Sequence, residues 1–273
     1  MHEPPREGMR KPSILLLGGG RMGSAMVAGW VRAGLGPSYI VDPAPAASAL
    51  SGHDVHVVTD AAAVPAGFRP DAVVLAVKPQ SAAEAVPPVA PFVPGAVILS
   101  IMAGKTIAAI QALVGPAPVV RAMPNTPAAI GEGFTAAFAG PGVTAAQTTL
   151  CEGLLQAVGE VAWLENEGQI DAVTALSGGG PAYVFLLAEL LEAAALEQGL
   201  PPTLAKRLAR RTVAGSGALL AFSEEAPAAM RQAVTSPGGT TERALAVLMA
   251  PDAWPAAMSR AIAAATARSR ELS

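Results

Sequence analysis

Two glycine-rich turns frame the chemistry open to this sequence. The first is Gly18-Gly19-Gly20-Arg21-Met22-Gly23, with G-x-G-x-x-G spacing. It follows an apolar run at 13–17 and precedes a helical stretch at 24–32, the context this spacing needs to hold phosphates. Gly18 permits the tight turn, Gly20 lets a pyrophosphate reach the backbone, and Gly23 lets helix and strand pack closely. The helix N-terminus then offers N–H groups and partial positive charge. The second turn is Ser236-Pro237-Gly238-Gly239-Thr240-Thr241. Two glycines before a helix beginning near Thr241 would let a small carboxylate approach outward-pointing N–H groups. Ser236 and Thr241 add hydroxyl donors. An ordinary Pro-Gly-Gly turn with Thr as helix cap has the same letters. Taken alone, the second segment leaves both readings open.

Other candidates are weighed against plainer roles. Asp42 ends a short strand about 20 residues past the glycines, where an acid can bind the adenosine ribose 2′-OH. It would repel a 2′-phosphate, so NADH is expected to be at least tolerated. Its neighbour Pro43 equally suits a turn-forming Asp. Lys78 follows a buried strand on the ligand-facing edge, which favours cofactor contact over a merely solvated lysine. Arg121 and Tyr183 are as well explained by structure. Cys151, the only cysteine, sits among Leu150, Leu154 and Leu155 and reads as core. It rules out an intrachain disulfide and fits a reducing cytoplasm. With His2, His53 and His56 as the only histidines, a zinc site is not expected.

The elements that must position these residues fall into two kinds. Short apolar runs at 13–17, 39–41, 55–58, 72–77, 97–101 and 119–121 alternate with helical material such as 106–113. That alternation predicts a doubly wound parallel sheet over 12–164. From about residue 165 the strand signals stop, and helices are expected at 182–198, 204–222, 241–249 and 254–270. The 182–198 segment has few polar positions, mainly Glu189, Glu192 and Glu197. A helix apolar on nearly every face must be covered on nearly every face, which points to a second subunit. Charged residues make up 14% of the chain, against about 25% in typical soluble domains. That poverty fits a partner-covered surface, and it fits an alanine-rich genome equally well. No Lys/Arg cluster suggests nucleic acid. Residues 14–17 are too short to span a membrane, and 85–103 is broken by Pro87, Pro88, Pro91 and Pro94. Residues 1–11 read as a mobile tail.

Taken together with Ala76-Val77-Lys78-Pro79-Gln80, Arg121-Ala122-Met123-Pro124-Asn125-Thr126-Pro127 and Leu176-Ser177-Gly178-Gly179-Gly180-Pro181-Ala182-Tyr183, the two turns resemble the pyrroline-5-carboxylate reductase family. The likeness runs from about residue 12 to the C-terminal Arg-Ser-Arg-Glu-Leu, and 236–241 is its most diagnostic part. It implies a Rossmann-type doubly wound parallel sheet (12–164) followed by an all-α dimerisation and substrate domain (165–273). To the glycine turn (Gly18, Gly19, Gly20, Arg21, Met22 and Gly23) and Asp42, already expected to hold NADPH or NADH, it adds Val77, Lys78 and Pro79, with Asn125 near the nicotinamide. The substrate carboxylate falls to Ser236, Gly238, Gly239, Thr240 and Thr241, with Glu224 just upstream. It also implies a homodimer built through the helical domain, often assembled further into rings; the location expected from Cys151 is the cytoplasm. Two departures stand out: the family commonly has Ser at the position of Gly179, and many members have a non-acidic polar residue at that of Asp42.

The implied reaction is reduction of a cyclic imine to proline. No histidine lies in a matching motif, so the imine either binds protonated or takes its proton through Thr241, with Ser236 beside it. Catalysis then rests on positioning. The rivals are a β-hydroxyacid dehydrogenase, another cyclic-imine reductase, and a non-catalytic dinucleotide-binding regulator. The first needs a catalytic Lys on the 182–198 helix, which has none.

Overall fold

Short runs of Val, Ile and Leu with no polar alternation can only be buried on both faces, and they build the centre of the sheet. The computed structural model describes residues 11–272. The tail expected at 1–11 lies, except for Lys11, outside the described residues. The chain runs β1 (Ile14–Leu17), α1 (Arg21–Ala33), β2 (Ser38–Val41), β3 (Val55–Val58), β4 (Ala72–Leu75), α2 (Ala82–Ala85), β5 (Val97–Ser100), α3 (Ile107–Val114), β6 (Val119–Met123), β7 (Gly133–Ala139), α4 (Ala145–Gln156) and β8 (Gly159–Trp163). Helices alone follow: α5 (Gln169–Val173), a π-helical turn (Thr174–Gly178), α6 (Gly180–Glu197), α7 (Pro202–Phe222), α8 (Pro227–Ala233), α9 (Thr240–Leu248) and α10 (Trp254–Glu271).

The eight strands lie in the order β3-β2-β1-β4-β5-β6-β7-β8. All pairings are parallel except β6 with β7. The order reverses between β1 and β4, the switch point at which open α/β sheets bind ligands beyond the strands' carboxyl ends. Side chains alternate between two cores. Ile14 and Leu16 join one with Met26 and Trp30, while Leu15 and Leu17 join the other with Val86 and Ile110. Trp30 Nε1 donates to Leu154 O at 2.8 Å, tying α1 to α4. Cys151 is fully buried in α4, and burial pushes its thiol up to about 12.

β7 and β8 are additions to the six strands legible in sequence, and β7 makes the sheet mixed rather than purely parallel. Their sequences, Gly-Phe-Thr-Ala-Ala-Phe-Ala and Gly-Glu-Val-Ala-Trp, lack the branched runs of the central strands. A backbone contact between Gly133 and Gly159 brings them together, since a Cβ on Gly159 would collide with Gly133.

By packing, the described residues form two compact units, one of residues 11–178 with 265–272, the other of 179–264. The sequence alone suggests a boundary at 164/165. α5 and the π-helical turn belong with the sheet because polar contacts hold them there. Glu167 Oε1 accepts from buried Arg121 Nη1 (3.1 Å) and from the Ile107 N–H (2.8 Å). The end of α10 belongs there too: Ser269 Oγ donates to Asp171 Oδ1 at 2.7 Å, and Leu272 packs at Gly104. In the helical unit, α6 packs along α7, and no α6 residue is buried.

Candidate active site

In the sheet unit the glycine turn is dictated by space. Gly18 has φ +102°, and a Cβ there would lie 2.8 Å from Ala76 O. A Cβ on Gly23 would strike Gly18 O. Among the described residues, no atom lies within 4 Å of the Cβ direction of Gly20, which leaves its outer side open to a ligand. α1 begins at Arg21, three residues earlier than its apolar pattern suggests, which makes Gly20 the N-cap. Among the described residues, no side chain caps this helix. Its first backbone bond runs from Ser24 N–H to Gly20 O at 2.8 Å. The turn therefore combines uncapped amides with a cradle that a side chain would fill, and it fits a dinucleotide pyrophosphate.

Asp42 adjoins this turn. Its Oδ2 accepts the Gly19 N–H at 2.6 Å, and its Oδ1 accepts the Ala44 N–H at 2.7 Å. The carboxylate thus forms its own turn, as the plainer reading expects, and also fixes the glycine loop. Val77, Lys78 and Pro79 lie on the other side of β1. β4 stops at Leu75, two residues before the end of its apolar run, and Ala76 and Val77 border Gly18. Lys78 is exposed and precedes a single 3₁₀ turn, Pro79–Ser81.

Asn125 stands at the carboxyl end of β6. Its Oδ1 accepts the Phe134 N–H (2.9 Å), and its Nδ2 donates to Ser177 Oγ (3.1 Å). Ser177 is the polar residue that sequence reading passed over. Its signal was its place immediately before the run of three glycines at 178–180. Gly178 itself is needed, since a Cβ would lie 2.5 Å from Met123 Cε.

In the helical unit, Ser236, Gly238 and Gly239 lie in the connection between α8 and α9, and Thr240 and Thr241 open α9. Gly238 has φ +71°. The cap of α9 is Gly239 rather than a threonine, with no side-chain cap. Among the described residues, the hydroxyls of Ser236, Thr240 and Thr241 have no partner, so they are not consumed as caps. The Gly238 N–H is already met by a carboxylate, Glu242 Oε2 at 2.8 Å. Glu224 is exposed between α7 and α8.

A switch-point glycine turn on a mostly parallel sheet, followed by a helical unit with an uncapped Gly-Gly-Thr-Thr turn, is the layout of a two-unit dinucleotide-dependent oxidoreductase. Residues 13–104 match the family model for NADP oxidoreductase, coenzyme F420-dependent. Residues 167–272 match that for pyrroline-5-carboxylate reductase dimerisation. A pyrroline-5-carboxylate reductase of Pseudomonas aeruginosa is 40% identical over 97% of this chain and 98% of its own length. A solved pyrroline-5-carboxylate reductase from Coxiella burnetii superposes with TM-score 0.87 at 34% identity, over 97% of this chain and 99% of that one. The Plasmodium falciparum pyrroline carboxylate reductase, solved with NADP bound, gives 0.82 at 26% identity over 97% and 99%. The chain belongs to the pyrroline-5-carboxylate reductase family.

The continuous helical run Gln169–Glu197 is long and apolar enough to cross a membrane by length and composition alone. It lies entirely within the residues matched to the dimerisation model.

Proposed function

We propose that this chain reduces 1-pyrroline-5-carboxylate to L-proline with NADH or NADPH, the last step of proline synthesis, in the cytoplasm. What carries the reading is the end-to-end family match combined with a turn at 236–241 whose hydroxyls are left free to meet a small carboxylate. The turn at 18–23 holds the pyrophosphate on its uncapped amides, and Val77, Lys78 and Pro79 flank it. Asn125 serves the nicotinamide end. When bound, the reduced nicotinamide supplies a hydride to C5 of the ring. The C=N electron pair then falls to the ring nitrogen, which needs a proton. Thr241 holds or relays that proton at its hydroxyl, unless the substrate arrives as the iminium ion. Ser236, Gly238, Gly239 and Thr240 fix the carboxylate, and Glu224 borders the site. Asp42 keeps NADH acceptable by placing negative charge where a 2′-phosphate would sit.

The exposed apolar side chains of α6, including Phe185, Leu186 and Leu190, are covered by a second copy of the chain rather than by lipid. The unit of assembly is a homodimer through the helical unit, with rings of dimers as the higher form.

The deciding measurement is oxidation of NADH and NADPH with pyrroline-5-carboxylate, and with the six-membered imine alongside. Turnover is expected with the five-membered imine at the higher kcat/KM. Cofactor binding without turnover would instead mark a non-catalytic dinucleotide-binding protein.

A further inference from the structure

The contact between Asn125 and Ser177 fixes where a proton must point. A backbone N–H can only donate, so the Phe134 N–H identifies the amide oxygen of Asn125. The other end of the amide is then Nδ2, which donates to Ser177 Oγ. A hydroxyl that accepts in this way keeps its own proton for another acceptor. On a regular helix that proton would return to the carbonyl one turn back. Thr174 does this, donating to Ile170 O at 2.8 Å. Ser177 does not. It lies in the π-helical turn Thr174–Gly178, and among the described residues its proton has no acceptor. Single π-turns of this kind recur at functional sites.

The strand order says which ligand lies nearby. The phosphate turn ends β1, and Asp42 ends β2, on the adenosine side. A dinucleotide across that edge must run its other half over β4, β5 and β6. Asn125 follows β6, three strand spacings or roughly 14 Å from β1. The half of the cofactor that reaches it is the nicotinamide mononucleotide, whose carboxamide offers an oxygen acceptor.

We propose that the Ser177 hydroxyl donates a hydrogen bond to the nicotinamide carboxamide oxygen, and that Asn125 is the positioning residue that reserves the Ser177 proton for it. This bond sets the rotation of the ring, and so which face of C4 is offered for transfer. The inference rests on reading the chain as a nicotinamide-dependent reductase.

Calorimetric titration of the full-length protein without substrate tests it, with three ligands: NADH, its thionicotinamide analogue and ADP-ribose. Sulfur is a poor acceptor in the analogue, and ADP-ribose lacks the ring. Ser177→Ala should weaken NADH binding five- to thirtyfold, leave the analogue within twofold, and leave ADP-ribose unchanged. Ser177→Thr should restore NADH binding to within threefold. Equal losses for NADH and the analogue, or a loss for ADP-ribose, would overturn the proposal, as would unchanged NADH binding. Imine turnover by the unaltered protein is read separately. If it is absent while the binding pattern holds, the reductase reading fails and the Ser177 assignment stands.

Discussion

The two glycine turns look alike in sequence but are held in different ways. In the sheet unit, the turn at 18–23 is walled in: Gly18 faces Ala76 O, Gly23 faces Gly18 O, and Asp42 pins the Gly19 amide. In the helical unit, among the described residues, Gly238 has nothing within 4 Å of its Cβ direction, and Gly239 meets only its own turn at Ser236. Among the described residues, Glu242 is the one side chain gripping that backbone. One turn owes its shape to strand–helix packing that the neighbouring residues enforce. The other owes it to local backbone preference and a single carboxylate. A packed turn tolerates no added atom, whereas an exposed one should depend on which polar groups it presents.

The comparison breaks most visibly at its glycines. Gly23→Ala puts a methyl group into a carbonyl oxygen that cannot move without opening β1 from α1. Overpacking of this kind costs about 1–3 kcal/mol or more. Titration with NADH should show at least a hundredfold loss of affinity, with a melting point lower by about 3 °C or more. Gly238→Ala meets no atom, only the roughly 1–2 kcal/mol of a left-handed conformation. Cofactor binding should be untouched in that variant. Equal effects of the two substitutions on NADH affinity would mean the turns are not built differently after all.

A second test asks whether the open turn works through its hydroxyls. Thr241→Ala should lower kcat about a hundredfold, the range expected when a positioned proton-handling group is removed. NADH affinity and melting point should stay put, because the Thr241 hydroxyl bonds to nothing in the described chain. Thr241→Ser should recover most of the rate. Near-normal turnover in Thr241→Ala would remove the residue from the chemistry.

The same contrast explains what could be read from sequence. The walled turn is legible because packing forces glycine at fixed spacing, and the central strands because burial on two faces demands apolar runs. β7 and β8 escape notice because Gly133 and Gly159 join them through backbone rather than through branched side chains. The boundary at Gly178 escapes notice because polar contacts across long separations set it. Glu167 bonds Arg121 and the Ile107 N–H, 46 and 60 residues away, and Asn125 reaches Ser177 across 52. Each residue was visible in its own segment. The contact that gives Ser177 its free proton exists only after folding.

Asp42 sharpens the comparison with the smallest expected effect, because it is both a wall of the turn and a charge beside it. Asp42→Asn changes both, and the two cofactors separate them. An amide has one acceptor oxygen where the carboxylate has two, so either the Gly19 or the Ala44 N–H loses its partner. That loosening falls equally on NADH and NADPH. Removal of negative charge helps only the cofactor that carries the 2′-phosphate. The NADPH/NADH ratio of kcat/KM therefore reads the charge, and the NADH value alone reads the turn. The ratio should rise about tenfold, roughly 1.4 kcal/mol, while NADH activity falls two- to threefold. A fall for both cofactors with the ratio unchanged would leave Asp42 as a purely structural member of the turn and locate cofactor choice elsewhere.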